Sequence, residues 1–402
     1  MVKVDLKAPY LVAALIFWVL FFARGVFPTG VYDLFLVAMV FLLFVFMKGE
    51  GDFRFMACLF FFMAIFYVLG FLSIIIESSP NWPVALKTLY LYFVPVLSAW
   101  GVFFMQKRMV EAWVRVLGVV LFVQCVAFVF LYLANASGFS FLDEVVYQRS
   151  GFIRLQGFMG SPNYFSISVV TTFFLYSILC YRFSVKKSFI FGFFFRLCVL
   201  ASFSRAAIIA VLFYDFMSLL YRYRFSQYFK GGMVAFFVVA LFFSMGGFFS
   251  DKGDKGRFEK IAGTLEYRLN DLSESGSGRF EIWSEAGVYL ENSKYALLGV
   301  GPGQYFGMQD VDNQTHNSYI KLVVENGFLG FFVYFIWFFA LVVVLVNRRM
   351  WVELQALLAV MLFAVGNDVF VTKGFALLVA VIVMLIAKGG GSGVGPRITE
   401  KV

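Results

Sequence analysis

The stretch QTHNSYIKLVVENGFLGFFVYFIWFFALVVVLV, residues 314–346, joins a polar segment to a long apolar run. His316 lies at the junction and is the single histidine of this 402-residue chain. The run that starts near Gly327 carries no charged side chain up to Val346, and about 20 such residues are enough to cross the hydrocarbon core of a bilayer. The stretch therefore predicts a membrane-spanning helix with an imidazole at its polar boundary.

The composition extends this prediction to the whole chain. Hydrophobic residues make up 62% of it and charged residues 14%, and the mean hydropathy is +0.86. A soluble protein with so few charges cannot cover its surface with polar groups. We therefore predict an all-α polytopic membrane protein that lies among membrane lipids. The net charge of +9 does not indicate a nucleic acid partner, because it is explained by where the basic residues lie.

Hydropathy predicts about twelve membrane-spanning helices. The first apolar run is interpreted as a span and not as a cleaved signal, because it lacks a small-residue cleavage site. The predicted spans lie near 9–23, 30–47, 55–76, 85–105, 113–134, 161–181, 187–202, 204–221, 231–250, 324–346, 350–366 and 370–387. The four cysteines, Cys58, Cys125, Cys180 and Cys198, all fall in apolar runs, so neither a disulfide nor a thiolate metal site is expected.

The basic residues of the short loops predict the orientation of the chain. Lysines and arginines are concentrated in alternate loops, and such loops are cytoplasmic. Both termini are then cytoplasmic, and the protein is expected in a bacterial inner membrane. The basic loops contain Lys3, Lys7, Lys48, Arg54, Lys107, Arg108, Arg115, Arg182, Lys186, Lys187, Arg222, Arg224, Lys230, Arg348, Arg349, Lys388, Arg397 and Lys401.

This orientation divides the chain into four parts. Residues 1–250 hold spans one to nine, and residues 251–323 form a large periplasmic loop with amphipathic helices. Residues 324–388 hold the last three spans, and residues 389–402 form a flexible cytoplasmic tail.

The large outer segment shows helical order of its own. Apolar residues recur at helical spacing from Phe258 to Leu272, and a second amphipathic helix carries Phe280, Trp283 and Leu290 on one face. A glycine-rich turn follows at Gly299. The segment therefore predicts two helices that lie on the membrane surface or on the bundle.

Four polar groups of residues lie on the predicted outer face. They contain Arg154, Arg205, Arg279 and His316, the last with Asn317 beside it. An arginine next to hydrocarbon is costly and is normally paired or used in function. Because guanidinium binds phosphate oxygens in a planar, bidentate manner, these residues predict a site for a lipid-linked phosphate or pyrophosphate. The imidazole would move protons, since its ordinary pKa is near 6.5.

Simpler interpretations stand beside this hypothesis. An outer arginine taken alone is more often explained by snorkelling to headgroups, and a lone histidine at a helix start by capping. Arg196, in the middle of a predicted span, is interpreted as a packing or snorkelling residue. Gly299–Gly303 is more typical of a turn than of a phosphate cradle, because it does not connect a strand to a helix.

The spacing of these motifs resembles the bacterial O-antigen ligase family. His316-Asn317 is followed after nine residues by Gly327 and then by Gly330, like the family's histidine motif. Ser204-Arg205-Ala206 and Gly278-Arg279-Phe-Glu-Ile-Trp283, with Leu298-Gly-Val-Gly-Pro-Gly-Gln-Tyr305 after it, are similar to its other motifs. A weaker motif is matched by Arg154, Gly157 and Asn163. The resemblance covers residues 150–345 and includes polymerases and O-oligosaccharyltransferases of the same superfamily.

The resemblance implies a glycosyltransferase of the C-like fold with its site on the periplasmic side. The donor would be an O-antigen glycan on undecaprenyl pyrophosphate, and a ligase would transfer it to a sugar hydroxyl of lipid A–core. No metal or other cofactor is implied. Arg205 and Arg279 would bind the pyrophosphate and stabilise its developing charge, while His316 would orient or deprotonate the acceptor. Arg154, Asn317 and Trp283 are candidate substrate contacts.

Three alternatives stay open. An O-antigen polymerase or a protein-glycosylating O-oligosaccharyltransferase would use the same chemistry. A lipid-linked glycan transporter without catalysis is the third, because about twelve spans are also typical of carriers. Carriers tend to show internal repeats and ionisable groups at mid-membrane, whereas here the polar groups cluster at one face.

Overall fold

The computed structural model describes residues 53–76, 80–89, 107–136, 145–149, 152–183, 185, 189–222, 279–291, 293–305, 316–370 and 372–387. Within these ranges the chain is almost entirely helical. The helices are α1 (Phe53–Ile76), α2 (82–89), α3 (Lys107–Ala136), α4 (Pro162–Arg182), α5 (Phe189–Ala201), α6 (Arg205–Arg222), α7 (Arg279–Glu291), α8 (Ser293–Leu298), α9 (Ser318–Asn347), α10 (Trp351–Ala364) and α11 (Lys373–Ala387).

One short hairpin departs from the all-α prediction. Strands β1 (Val146–Arg149) and β2 (Phe152–Leu155) pair antiparallel, with Tyr147 opposite Arg154. A 3-10 turn, Gly157–Met159, leads from β2 into α4. The hydropathy pattern missed the hairpin because each strand is only four residues long.

Among the residues that the structure describes, three helices are long and apolar enough to cross a membrane. They contain the segments Val114–Asn135, Pro162–Arg182 and Ser318–Asn347, and four shorter apolar helices accompany them. The protein is therefore an integral membrane protein by the composition of its helices. The predicted spans at 9–23, 30–47 and 231–250 lie outside the described residues, as do most of the span predicted at 85–105, the predicted helix at 258–272 and the tail at 389–402, so the total of twelve stays a prediction.

Helix α4 lies at the centre of the bundle. Its apolar segment is 89% buried, compared with 41% for α3 and 33% for α9, and it packs against α3, α5, α10 and α11. Its hydroxyls need no outside partner, because Ser166, Thr171, Thr172 and Ser177 each donate to a carbonyl one turn earlier. A Cβ at Gly374 would overlap the hydroxyl of Thr171, so α11 approaches α4 closely there.

The described helices alternate between two ends of the bundle. The starts of α4 and α9 lie at one end with the α5–α6 and α10–α11 connections, and we call this the site end. At the opposite end, Arg182 donates to the buried Glu353, and Arg348 donates to the carbonyl of Ile386. The predicted alternation therefore holds for α4–α6 and α9–α11, whereas the compartment that each end faces stays a prediction.

Two sequence interpretations are corrected by this packing. Arg196 is not simply a packing or snorkelling residue, because its Nε and Nη2 atoms contact the two carboxylate oxygens of Asp215 at 2.9 and 2.6 Å. The span expected at 324–346 belongs to a helix that starts six residues earlier, at Ser318. The apolar run covers the part of this helix after Gly327, and the turns before it carry the polar residues Lys321, Glu325 and Asn326.

The Arg182–Glu353 pair gives a test of this bundle. Glu353 is fully buried, so Glu353→Ala would leave the largely buried Arg182 without its counter-charge. We expect a loss of about 3–5 kcal/mol in unfolding free energy, measured by thermal unfolding in detergent. Glu291→Ala, which removes an exposed glutamate of α7, should change it by less than about 0.5 kcal/mol. Equal unfolding temperatures for the two variants would contradict the assigned pairing.

Candidate functional site

Arg205 begins α6 immediately after a tight turn at the end of α5. In this turn the Phe203 N–H donates to the Leu200 carbonyl at 2.9 Å, and Ser202 Oγ donates to the Val199 carbonyl at 2.7 Å. Phe203 has a φ of 48°, in the left-handed region that non-glycine residues seldom adopt. The turn holds half-buried Arg205 at the site end of the bundle.

Arg154 ties this turn to the hairpin and to α4. Its side chain is buried, and Nε donates to the Ser202 carbonyl at 2.9 Å. Nη2 donates to Asn163 Oδ1 at 3.3 Å, one residue after the start of α4. The structure thus gives Arg154 a scaffolding role beneath the Arg205 turn, and its predicted contact with substrate stays a prediction.

His316 and Asn317 lead into α9. Asn317 is the N-cap, and its Oδ1 accepts from the N–H groups of Tyr319 and Ile320 at 2.9 and 3.2 Å. His316 is half-buried, and its φ is 47°. The structure therefore assigns the cap to Asn317, and neither His316 nor Glu325, two turns into the helix, provides it.

The start of α9 is fixed to the α10–α11 connection. Ser318 Oγ donates to the Asn367 carbonyl at 2.8 Å and accepts from the Val369 N–H at 2.7 Å. The Tyr319 hydroxyl donates to the Met361 carbonyl at 2.7 Å. These contacts fix the backbone two and three residues after His316.

A buried charged cluster, Lys321, Glu325 and Asp368, follows one turn further along. Lys321 Nζ lies 3.8 Å from Asp368 Oδ2. Glu325 and Asp368 are 1% and 5% exposed. The ion pair therefore adds a second link between the first turns of α9 and the α10–α11 connection.

Helix α9 is interrupted at Gly327, whose φ and ψ are 64° and 179°. The interruption releases carbonyls that a continuous helix would bond internally. The glycine-rich turn, residues 299–305, uses them: Val300 N–H donates to the Val324 carbonyl and Gly301 N–H to the Glu325 carbonyl, both at 2.9 Å. The predicted turn is confirmed, and these two amides are bonded to protein carbonyls.

The close approach of the glycine-rich turn to α9 requires a glycine in each of the two segments. A Cβ at Gly299 would overlap the backbone of Glu325, and a Cβ at Gly327 would overlap the backbone of Leu297. Both residues also have positive φ, which favours glycine. The glycines that resemble a family motif therefore form a backbone-to-backbone joint.

The glycine-rich turn also holds α2. The Asn81 N–H donates to Gln304 Oε1 at 2.7 Å, and Gln304 Nε2 donates to the Asn81 carbonyl at 3.1 Å. Tyr305 is buried behind this pair, and burial raises its pKa to about 12. The phenol is therefore neutral at physiological pH.

Helix α7 carries Arg279 and Trp283. Arg279 is its first residue, and Trp283, one turn later, is half-buried. Ala286 is fully buried in a small core with Val300, Tyr305 and Val324. This core holds α7 against the glycine-rich turn and the first turns of α9.

The structure thus links the predicted motifs at one end of the bundle, through residues that lie between them. Arg154 joins the Arg205 turn to Asn163, Ser318 joins the start of α9 to the α10–α11 connection, and the joint at Gly327 connects α9 to the glycine-rich turn that follows α7 and α8. Of the described non-glycine residues with positive φ, two lie in these motifs, Phe203 and His316, and Arg349 lies at the opposite end. Such strain is concentrated where surrounding structure imposes it, often at functional sites.

Sequence reasoning left the charged cluster unassigned. Lys321 and Asp368 were not singled out, although a charge at the edge of an apolar run is itself a signal of pairing or function. Their pairing could not be predicted from the sequence, because Asp368 lies 47 residues after Lys321 in the chain. Among the described residues, no group of three or more His, Cys, Asp or Glu side chains is arranged to hold a metal ion.

Residues 189–335 match the family model described as O-antigen ligase. The match starts at the first residue of α5 and ends within α9, so it contains Arg205, Arg279 and His316 but not Arg154. No curated protein matches the chain.

The joint between the glycine-rich turn and α9 can be tested at Gly327. Gly327→Ala would place a Cβ against the Leu297 carbonyl at a φ that costs a non-glycine residue about 1–3 kcal/mol before any overlap is counted. We expect a clear fall in unfolding temperature and in the yield of folded protein.

Gly287→Ala is the matched control for this prediction. Gly287 lies inside α7, and a Cβ there meets nothing within 4 Å. Alanine should leave stability unchanged or raise it by about 0.5–1 kcal/mol. If both variants unfolded at the wild-type temperature, the joint would not have the rigidity described.

Proposed function

Because the chain belongs to the O-antigen ligase family, as the match over residues 189–335 indicates, we propose that it ligates O-antigen to lipid A–core. The family implies an enzyme of the glycosyltransferase type that acts on lipid-linked glycans and lipopolysaccharide. The proposal adds undecaprenyl pyrophosphate as the carrier of the donor glycan and the periplasmic face as the location of the reaction.

One observation supports the proposal above the others. Three segments distant in sequence, which begin or end at Arg205, Arg279 and His316, are linked by described contacts at the site end. Two of these segments are held by buried polar contacts: Arg154 bonds to the α5–α6 turn, and the α10–α11 connection bonds to the start of α9. A rigid backbone of this kind orients the reacting groups for transfer.

The reaction follows from the groups present. A hydroxyl of the acceptor sugar attacks the anomeric carbon of the donor, and a new C–O bond forms as the bond from that carbon to the phosphate oxygen breaks. The electron pair leaves with undecaprenyl pyrophosphate. Arg205 and Arg279 stabilise the charge that develops on this leaving group, a role that requires no metal ion. The acceptor proton passes to the imidazole of His316.

The remaining candidates have supporting roles in this proposal. Arg154 positions the turn that precedes Arg205, because its guanidinium is buried and bonded to that turn. Asn317 fixes the start of α9 through its cap and presents His316. Trp283, half-buried on α7, is a candidate contact for glycan rings, which stack on aromatic side chains.

Lipopolysaccharide from a deletion strain distinguishes the ligase from its relatives. Loss of a ligase should give bare lipid A–core, with lipid-linked glycan accumulating in the inner membrane. Core that carries a single repeat would indicate a polymerase instead, and loss of glycosylated pilin would indicate an O-oligosaccharyltransferase. A transporter would form no new glycosidic bond when purified protein, lipid-linked glycan and acceptor are combined in detergent.

Substitution of His316 tests the acceptor step. His316→Asn removes the imidazole and keeps a residue type that tolerates positive φ, so the start of α9 is preserved. We expect kcat to fall by about 10²–10⁴-fold while the KM for the donor changes little, measured with purified components. A wild-type kcat would contradict the role of the imidazole.

Substitution of Arg279 tests the leaving-group step. Arg279→Gln should lower kcat by about 10²–10³-fold and raise the KM for the donor, because a charge on the pyrophosphate is left uncompensated. Arg115→Gln is the control, since Arg115 is an exposed arginine of α3 outside every predicted motif. If the two variants turned over equally fast, Arg279 would not contact the donor.

A further inference from the structure

The hydroxyl of Ser318 contacts the α10–α11 connection two residues after His316. Ser318 Oγ donates to the Asn367 carbonyl at 2.8 Å and accepts from the Val369 N–H at 2.7 Å. The Val369 N–H also donates to the Asn367 carbonyl at 3.0 Å, so the three groups form a closed ring of hydrogen bonds. One side chain at the start of α9 therefore engages both a donor and an acceptor of the connection.

This hydroxyl does not stabilise its own helix. Serine near a helix start commonly caps the helix, but here Asn317 is the N-cap, and its Oδ1 accepts from the N–H groups of Tyr319 and Ile320. Ser318 is 4% exposed, and a hydroxyl buried to this extent is costly unless it is hydrogen-bonded. Because the bonds of Ser318 Oγ go to the connection, the residue joins two segments that are distant in the chain.

His316 stands shortly before this anchored part of the chain. Its φ of 47° lies in the left-handed region, which a non-glycine residue keeps where the surrounding structure imposes it. One residue after the ring, the Tyr319 hydroxyl donates to the Met361 carbonyl at 2.7 Å, and Lys321 pairs with Asp368 at 3.8 Å. The residues that follow His316 are thus fixed to α10 and to the connection, which restricts the conformations that its backbone can adopt.

We propose that Ser318 is a positioning residue for glycan transfer. Its bonds to the α10–α11 connection hold the backbone of His316 in the left-handed conformation and so fix the imidazole relative to the acceptor hydroxyl. This inference rests on the proposed function, in which His316 takes the acceptor proton. Ser318 acts through His316 and not on the substrate, because its hydroxyl is buried and bonded within the protein.

The single histidine of the chain makes this role directly measurable. The full chain, purified without a histidine tag and labelled isotopically on histidine, gives NMR signals of the His316 imidazole alone. Ser318→Ala removes the hydroxyl and should shift or broaden these signals. Ser318→Cys fills the same space with a weaker donor and acceptor, so it should shift them in the same direction.

Ser177→Ala is the matched control. Ser177 is also 4% exposed, and its hydroxyl also donates to a carbonyl, that of Phe173 at 2.7 Å, but both residues lie within α4. This variant loses a buried hydroxyl without touching the start of α9. It should therefore leave the His316 signals and the kcat per folded molecule unchanged.

Kinetics connect this position to the reaction. Ser318→Ala should lower kcat by about 10- to 100-fold with the KM for the donor unchanged, because a small displacement of a reacting group is enough to slow transfer. In a His316→Asn background the same substitution should have no further effect on kcat, since there is no imidazole left to position.

Four results would overturn the inference. They are unchanged His316 signals in both Ser318 variants, a wild-type kcat in Ser318→Ala, an equal loss of kcat with and without His316, or the same shift in Ser177→Ala. If the wild-type protein forms no glycosidic bond at all, the proposed function fails instead. The NMR signals then decide by themselves whether Ser318 fixes His316.

Discussion

The structure depends on one joint between two backbones. Helix α9 is interrupted at Gly327, and the carbonyls of Val324 and Glu325 are taken up by the amides of the glycine-rich turn. A helix interrupted close to hydrocarbon is stable only when another part of the protein satisfies its released polar groups, because no water is there to do so. The turn supplies these partners, and for that reason α7 and α8 are held on α9.

This joint determines which segments of the chain are held against α9. A continuous helix would present one smooth face, with no free carbonyls to hold the glycine-rich turn against α9. The interruption instead makes a socket that accepts Gly299 and Gly301, and α2 is drawn in through Gln304 and Asn81. The same socket buries the carboxyl of Glu325 beside Lys321. The backbone hydrogen bonds that the interrupted helix requires therefore also connect the segments that carry the proposed reacting residues.

A second group of contacts does similar work around Arg205. Arg154 donates hydrogen bonds to the Ser202 carbonyl and to Asn163, and these bonds hold the strained turn at Phe203 in place. The arginines of the predicted outer face therefore differ in kind. Arg154 is buried within the scaffold, whereas Arg205 is half-buried at the start of its helix. Residue type and predicted topology give both arginines the same interpretation. They differ in burial, and burial depends on neighbours from distant segments of the chain.

The sequence by itself determined the membrane character, the helices and the motifs, since hydropathy and spacing are local properties that one segment carries alone. The α5–α6 turn, the glycine-rich turn and the alternation of α4–α6 and α9–α11 followed from it, and the family match agreed with the resemblance of residues 150–345. Only the tertiary structure decided that Arg154 bonds to the Ser202 carbonyl, that Arg196 pairs with Asp215 and that Lys321 pairs with Asp368. These are pairings between groups far apart in the chain, and which buried polar groups meet is set by how the helices pack. His316 illustrates both parts: its place beside a membrane helix could be predicted from the sequence, whereas its left-handed φ of 47° and the bond from Ser318 to the α10–α11 connection depend on the tertiary structure.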